Sequence, residues 1–293
     1  MRSHLLLTGA LSIGSLASMG CSGVVESTPA EATSSTATAV VVVERTSGPG
    51  EAVRGDAVIA RFVRVHQGTV DDQALRIAGA ASTNRDLPAI GTCSTTQRAE
   101  AALQPRSVDL LDVGVLTLVS PPPMAGDQQT KNTMLVPRTM PDPTGVVSGV
   151  FYSARSSEAF TPSSRLQLHT SGGPDLPDGF NINVASPRDV ADVRVTSPDR
   201  SANLDVAWEA SESDDARDLV YVDVLSANTH DRRLVARCTT LDVGHLVVPS
   251  SALGALEDGQ LSVHRLHREA FHAKGIEPGE IRFDLARVVA FHR

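Results

Sequence analysis

Short runs of β-branched or alternating residues, each closed by glycine and proline, limit the fold more than any other feature of the chain. AVIARFVRV (57–65), VGVLTLVS (113–120), GVVSGVFYSAR (145–155), SRLQLHT (164–170) and GFNINVAS (179–186) all read this way. Between them lie SPPPMAGD, MPDPTG and SGGPDLPDG. A side-chain period of two places alternate residues on one face of a strand, and Gly/Pro clusters end each strand in a turn. Many short strands with such punctuation predict an all-β fold of the sandwich type. No segment sustains a 3.6-residue period. The best short helices are TQRAEAAL (96–103) and PSSALGAL (249–256), with Ser250 as the expected N-cap of the second.

The second half repeats the pattern more cleanly. After TSPDRSA (196–202), which reads as a linker, come LDVAWEA, DLVYVDVLS, RRLVARCTT, HLVVP, QLSVHRLHRE and EIRFDLARVVAFHR. Leu204, Val206 and Trp208 fall on one face, as do Val220, Val222 and Val224. Two β-sandwich domains are therefore expected, over 51–196 and 197–293. An L-x-V-x-W strand followed by one carrying Tyr221 resembles a fibronectin type III or immunoglobulin-like sandwich. Six strands are legible where seven complete the set, and LSVHRLHRE lacks the tyrosine such domains carry. LLDVGVLTLVSP (110–121) and TLDVGHLVVPSS (240–251) also echo one another. Convergence and module duplication both account for the echo. With GG-x-D at 172–175, these phrases are similar to predicted lipoproteins of myxobacteria-like bacteria, a resemblance that implies a surface location.

The N-terminus agrees with that location. Met1 and Arg2 precede the apolar LLLTGALSIGSL (5–16), and small residues lead to Gly20 and Cys21. This is the layout of a signal peptide over 1–20, too short to span a bilayer, which takes about 20 apolar residues. It resembles a bacterial lipoprotein signal, which implies diacylation of Cys21 and a membrane anchor in the cell envelope, with the outer membrane as the expected site. An ordinary signal cut after Gly20 is the alternative. Residues 21–50, rich in Ser, Thr, Ala, Pro and Glu, read as a disordered tether, although AVVVVE suits an early strand equally well.

Aromatic residues make up only 3% of the chain, so its core must be aliphatic. A net charge of −8 argues against a nucleic-acid surface, which needs a basic stripe. Apart from Cys21 the cysteines are Cys93 and Cys238. In an oxidising compartment a remaining pair is often bonded, and two buried thiols are the alternative.

Candidate chemistry is sparse. His264, His267, His272 and His292 raise the question of a metal, yet on a strand His264 and His267 face opposite sides and the spacing fits no standard ligand pattern. Polar histidines on a solvated strand are the expectation. Glu209, Glu212, Asp214, Asp215 and Asp218 crowd one loop without the glycine a calcium loop uses, and read as a solubilising charge cluster. Asp175 and Asp178 suit Asx turns. Motifs for a nucleophile elbow, a phosphate loop or a dinucleotide site are absent from the sequence. The expectation is a non-catalytic envelope protein that presents a surface to a protein or glycan, without a cofactor. The alternative is a divergent envelope hydrolase with a loop-built site in the N-terminal half.

Overall fold

The computed structural model describes residues 37–48, 50–66, 68–80, 87–95, 107–121, 130–141, 145–156, 160–161, 165–197, 199, 202–211, 218–226 and 233–293, and the side chains of 50–54 fall outside that description. The signal peptide, Cys21 and the 96–103 helix lie outside the described residues. Residues 35–293 form one compact unit.

Mostly β structure is found. The strands are β1 (Ala37–Gly48), β2 (Gly50–Val65), β3 (Thr92–Ser94), β4 (Val108–Leu110), β5 (Leu116–Ser120), β6 (Lys131–Leu135), β7 (Pro137–Thr139), β8 (Val147–Ser156) and β9 (Arg165–Thr170). They continue with β10 (Phe180–Ala185), β11 (Arg194–Thr196), β12 (Leu204–Ala207), β13 (Leu219–Ser226), β14 (Leu234–Leu241), β15 (His245–Val248), β16 (Asp258–Ala273) and β17 (Ile276–His292). Two short helices, α1 (Asp72–Ile77) and α2 (Ser250–Leu253), complete the set. Asp71 caps α1 by accepting from the Ala74 amide. Pro249, not Ser250, is the N-cap of α2, and no side chain caps it.

Ten strands form one mixed sheet in the order β3-β14-β13-β16-β17-β1-β2-β4-β8-β7, with β2 also paired to β8. Parallel pairing occurs at β1–β17 and β4–β8. A four-stranded sheet β10-β9-β5-β6 and a three-stranded sheet β11-β12-β15 accompany it.

Alternation along the β16–β17 hairpin shows how these layers stack. On β17, Ile281, Phe283 and Leu285 enter one core, shared with Val41 and Val43 of β1 and with Leu116, Leu166 and Leu168 of the four-stranded sheet. On β16, Leu261 and Val263 enter a second core with Val220 and Val222 of β13 and with Leu204, Val206 and Trp208. All these β16 and β17 positions are odd-numbered and therefore share one face. Both small sheets pack side by side on that near face of the large sheet. The far face carries α1 over Val40, Val63 and Val65.

The expected division of the chain changes in two places. Residues 37–48 are not tether: Val41 and Val43 bury on the near face and Val40 on the far face, so AVVVVE reads as the continuous apolar run of a strand covered on both sides. The boundary at 197 also falls inside a unit, because β11 precedes it and pairs with β12, while TSPDRSA spans the β11–β12 connection. Strands from both sides of that position share the large sheet, with β1 running parallel to β17 for ten residue pairs.

Candidate functional site

On the far face, register assembles a polar group from three neighbouring strands. Ser262 and His264 are two apart on β16 and share that face. Tyr221 of β13 is directly opposite His264. On β17, Ala286 is opposite His264 and Asp284 is opposite Leu266, so Asp284 sits diagonal to the imidazole. His264 Nε2 is 2.8 Å from Ser262 Oγ, and Nδ1 is 2.8 Å from Asp284 Oδ1. The Tyr221 hydroxyl donates to Asp284 Oδ2 at 2.6 Å, and its ring stacks on the imidazole with centroids 4.2 Å apart.

Electrostatics fix the roles of Asp284 and Tyr221 in this group. Burial alone would raise the Asp284 pKa, but the hydrogen bond and charge of His264, followed by the Tyr221 hydroxyl, hold it below the usual carboxylate range. Burial, then the Asp284 charge, pushes the Tyr221 phenol far above its ordinary value, so it remains a donor. In the tautomer whose Nδ1–H donates to Asp284, Nε2 faces the Ser262 hydroxyl as an acceptor. A proton on Ser262 thus has an acceptor, and that acceptor has a carboxylate behind it. Arg237 forms a two-point pair with Asp223 at 2.6 Å in the same row, and Glu44 of β1 is the register partner of Asp284.

The near face holds a second polar group, a seam of charge between the two cores. Arg265 and His267 occupy the β16 positions between Val263 in one core and Phe271 in the other. Arg265 is 1% exposed; Nε donates to Asp242 at 2.7 Å, and its other nitrogens donate to the carbonyls of Arg188, Asp189 and Glu209. Arg45 donates twice to Asp56 at 2.7 Å and once to the Phe160 carbonyl, and also pairs with Asp189. His267 Nδ1 pairs with Asp218. Every cation in this seam has a fitted acceptor, the condition under which buried charge is tolerated. The seam ties the 186–193 connection to the sheet.

These positions revise the sequence expectations. His264 and His267 do face opposite sides, but both are largely buried and each is held by its own aspartate. His292 pairs with Asp258 at the surface, and His272 is exposed. Asp218 is a buried partner of His267 and not part of a solvated cluster, whereas Glu209 is half exposed beside Arg188. Glu212, Asp214 and Asp215 lie outside the described residues. Asp175 accepts from the Asp112 amide, and Asp178 pairs with Lys274 at 2.8 Å. Sequence reasoning missed Ser262, Asp284, Tyr221, Arg45 and Arg265. The Ser-x-His step on a strand was a usable signal for the first. Nothing local pointed to Asp284.

Cys93 and Cys238 are directly opposite on β3 and β14 and form a disulfide. Near it, Thr95, Ser226, Arg233, Val235, Ser251 and Leu253 help line a groove of about 660 Å³. No protein-family model and no curated protein matches the chain.

Proposed function

We propose that the chain is a lipid-anchored protein of the bacterial cell envelope, held in the outer membrane through Cys21, with a binding or structural role towards a protein or glycan. The Cys93–Cys238 bond carries the reading, because disulfides persist in oxidising compartments and are rare in the cytosol. Its location agrees with the signal-like residues 1–20 and the Gly20–Cys21 junction. The second sandwich is read as fibronectin type III-like. Its support is the sequence of seven strands, three in the order β11-β12-β15 facing four in the order β14-β13-β16-β17. β11 is the strand that sequence reading left uncounted.

The groove beside the disulfide is the surface offered to a ligand; its volume lies in the range of pockets that hold a small molecule. Fractionation tests the anchor. The native protein should enter the detergent phase and incorporate radiolabelled palmitate, and Cys21→Ala should do neither while remaining folded. Equal partitioning of both proteins would overturn the reading.

A further inference from the structure

The far-face relay has the connectivity of a general-base catalyst. We propose that Ser262 is a nucleophile activated by His264 and that this face reacts with small acyl esters. The inference goes beyond the binding role and is independent of the membrane anchor. Three features of the geometry carry it. The imidazole reaches Ser262 through Nε2 and Asp284 through Nδ1, each at 2.8 Å, so that in the Nδ1–H tautomer Nε2 is placed to accept the serine proton. The ring is fixed, since Tyr221 stacks on it and also holds the other oxygen of Asp284. The imidazole side chain is 18% exposed, so the pair is not sealed from solvent, whereas Ser262 itself is only 5% exposed. So little exposure at the nucleophile admits only a small acyl group.

In the reaction, Ser262 Oγ adds to the ester carbonyl carbon as its proton passes to His264 Nε2. The bond to the alcohol oxygen breaks, the alcohol leaves with that proton, and the acyl group stays on Ser262. Water then adds to the acyl carbon and gives a proton to Nε2. The carboxylic acid departs as the proton returns to Oγ. The net change is ester plus water to acid plus alcohol.

Backbone geometry sets the scale. β16 is paired on both sides, to β13 and to β17, so its amides serve the ladders and not an oxyanion. The acceleration is that of the general base, roughly 10²–10⁴-fold, without the further 10²–10³-fold of an oxyanion donor. Covalent labelling is accordingly a better readout than turnover.

The full chain is incubated with a small fluorophosphonate and, separately, with p-nitrophenyl acetate, and adducts are mapped by peptide mass. The expected result is one adduct on Ser262, slowed about 100-fold or more in His264→Gln. The groups facing the ring are Tyr221 from β13, Asp284 from β17, Glu44 from β1, and the Asp223–Arg237 pair. Asp284→Asn should slow labelling without moving it to another serine. Ser262→Ala keeps the volume of the site and should melt like the parent while losing the adduct. An unlabelled Ser262 in a protein with a native melt, labelling of a different serine, or equal rates in a folded His264→Gln would each overturn the proposal.

Discussion

Asp112 and Asp242 hold the same place in two copies of one turn. Each copy reads Leu-Asp-Val-Gly, leaves a strand of the ten-stranded sheet, and enters a strand of a small sheet: β4 to β5 in one case, β14 to β15 in the other. Gly114 and Gly244 close the two turns with φ of 80° and 79°. The echo in sequence is therefore an echo in architecture. The two aspartates differ in what they hold. Asp112 accepts from the Gly114 amide and the Tyr152 hydroxyl. Asp242 accepts from Trp208 Nε1, the Ser211 amide and Arg265.

That difference predicts unequal costs. Asp242→Ala strands a buried guanidinium and should destabilise the protein by about 3–5 kcal/mol. Asp112→Ala removes acceptors from neutral donors only and should cost about 1–3 kcal/mol. Urea melts followed by Trp208 emission measure both. Equal costs would show that Arg265 finds another acceptor.

The glycines of the two turns should separate in the same way. Both need a left-handed backbone, which costs an L residue about 1–2 kcal/mol. A Cβ on Gly114 would also lie 2.2 Å from the Gly172 carbonyl oxygen, whereas on Gly244 the nearest atom is 3.1 Å away. Gly244→Ala should stay near the lower figure and Gly114→Ala should exceed it, as thermal melts of the two variants will show.

Excision tests the shared sheet. A fragment of residues 187–293 keeps the seven strands β11 to β17 but bares the edge of β17 that β1 covers from Ala37 to Ser47. It also loses Arg45, the partner of Asp189. The fragment should aggregate or melt without a sharp transition, while residues 35–293 unfold cooperatively. Trp208, 6% exposed in the intact protein, reports the difference by emission wavelength. A cooperative melt of the fragment with blue-shifted emission would show that β1 is dispensable.

Glu44 and Asp284 should give opposite pH signatures. The pKa of Asp284 is lowered, so the folded state binds fewer protons than the unfolded chain over that range; its contribution is complete above the ordinary value of 3.8 and is lost as pH falls through the lowered one. Glu44 is an exposed position, yet partial desolvation and then the Asp284 charge raise its pKa. Its contribution is complete below the ordinary value of 4.5 and is lost as pH rises through the raised one. At neutral pH, Glu44→Gln should therefore gain stability, by no more than about 0.5 kcal/mol at an exposed site. The gain should vanish in acid. A variant less stable than the parent at neutral pH would reverse the assigned sign.

The disulfide closes a sequence separation of 145 residues. Chain-entropy arguments give such a link about 5 kcal/mol, so reduction should lower the denaturation midpoint sharply. Thiol titration of oxidised, unfolded protein should find neither Cys93 nor Cys238 free.

The strands that sequence reading identified are those whose evidence is local. Alternation placed Leu204, Val206 and Trp208 on one face, and all three are buried together. The short strands β3, β4, β7 and β11, three residues each, are too brief for a period to emerge. Helix α1 is only six residues long and equally silent.

What the sequence determines by itself is the identity and facing of those strands long enough to show a period, because a period of two depends only on a residue and its neighbours. What only the tertiary structure decides is which strands become partners, and in which register. A Lys274–Gly275 turn pairs Ala273 with Ile276, and continuing that register would set His264 opposite Leu285, leaving Asp284 on the other face. A shift between Phe271 and Ala273 moves the pairing by one residue, so that His264 meets Ala286 and Asp284 comes round to the imidazole. One extra residue in a strand reverses every face beyond it, and the packing of two distant cores against β16 and β17 selects where that residue goes.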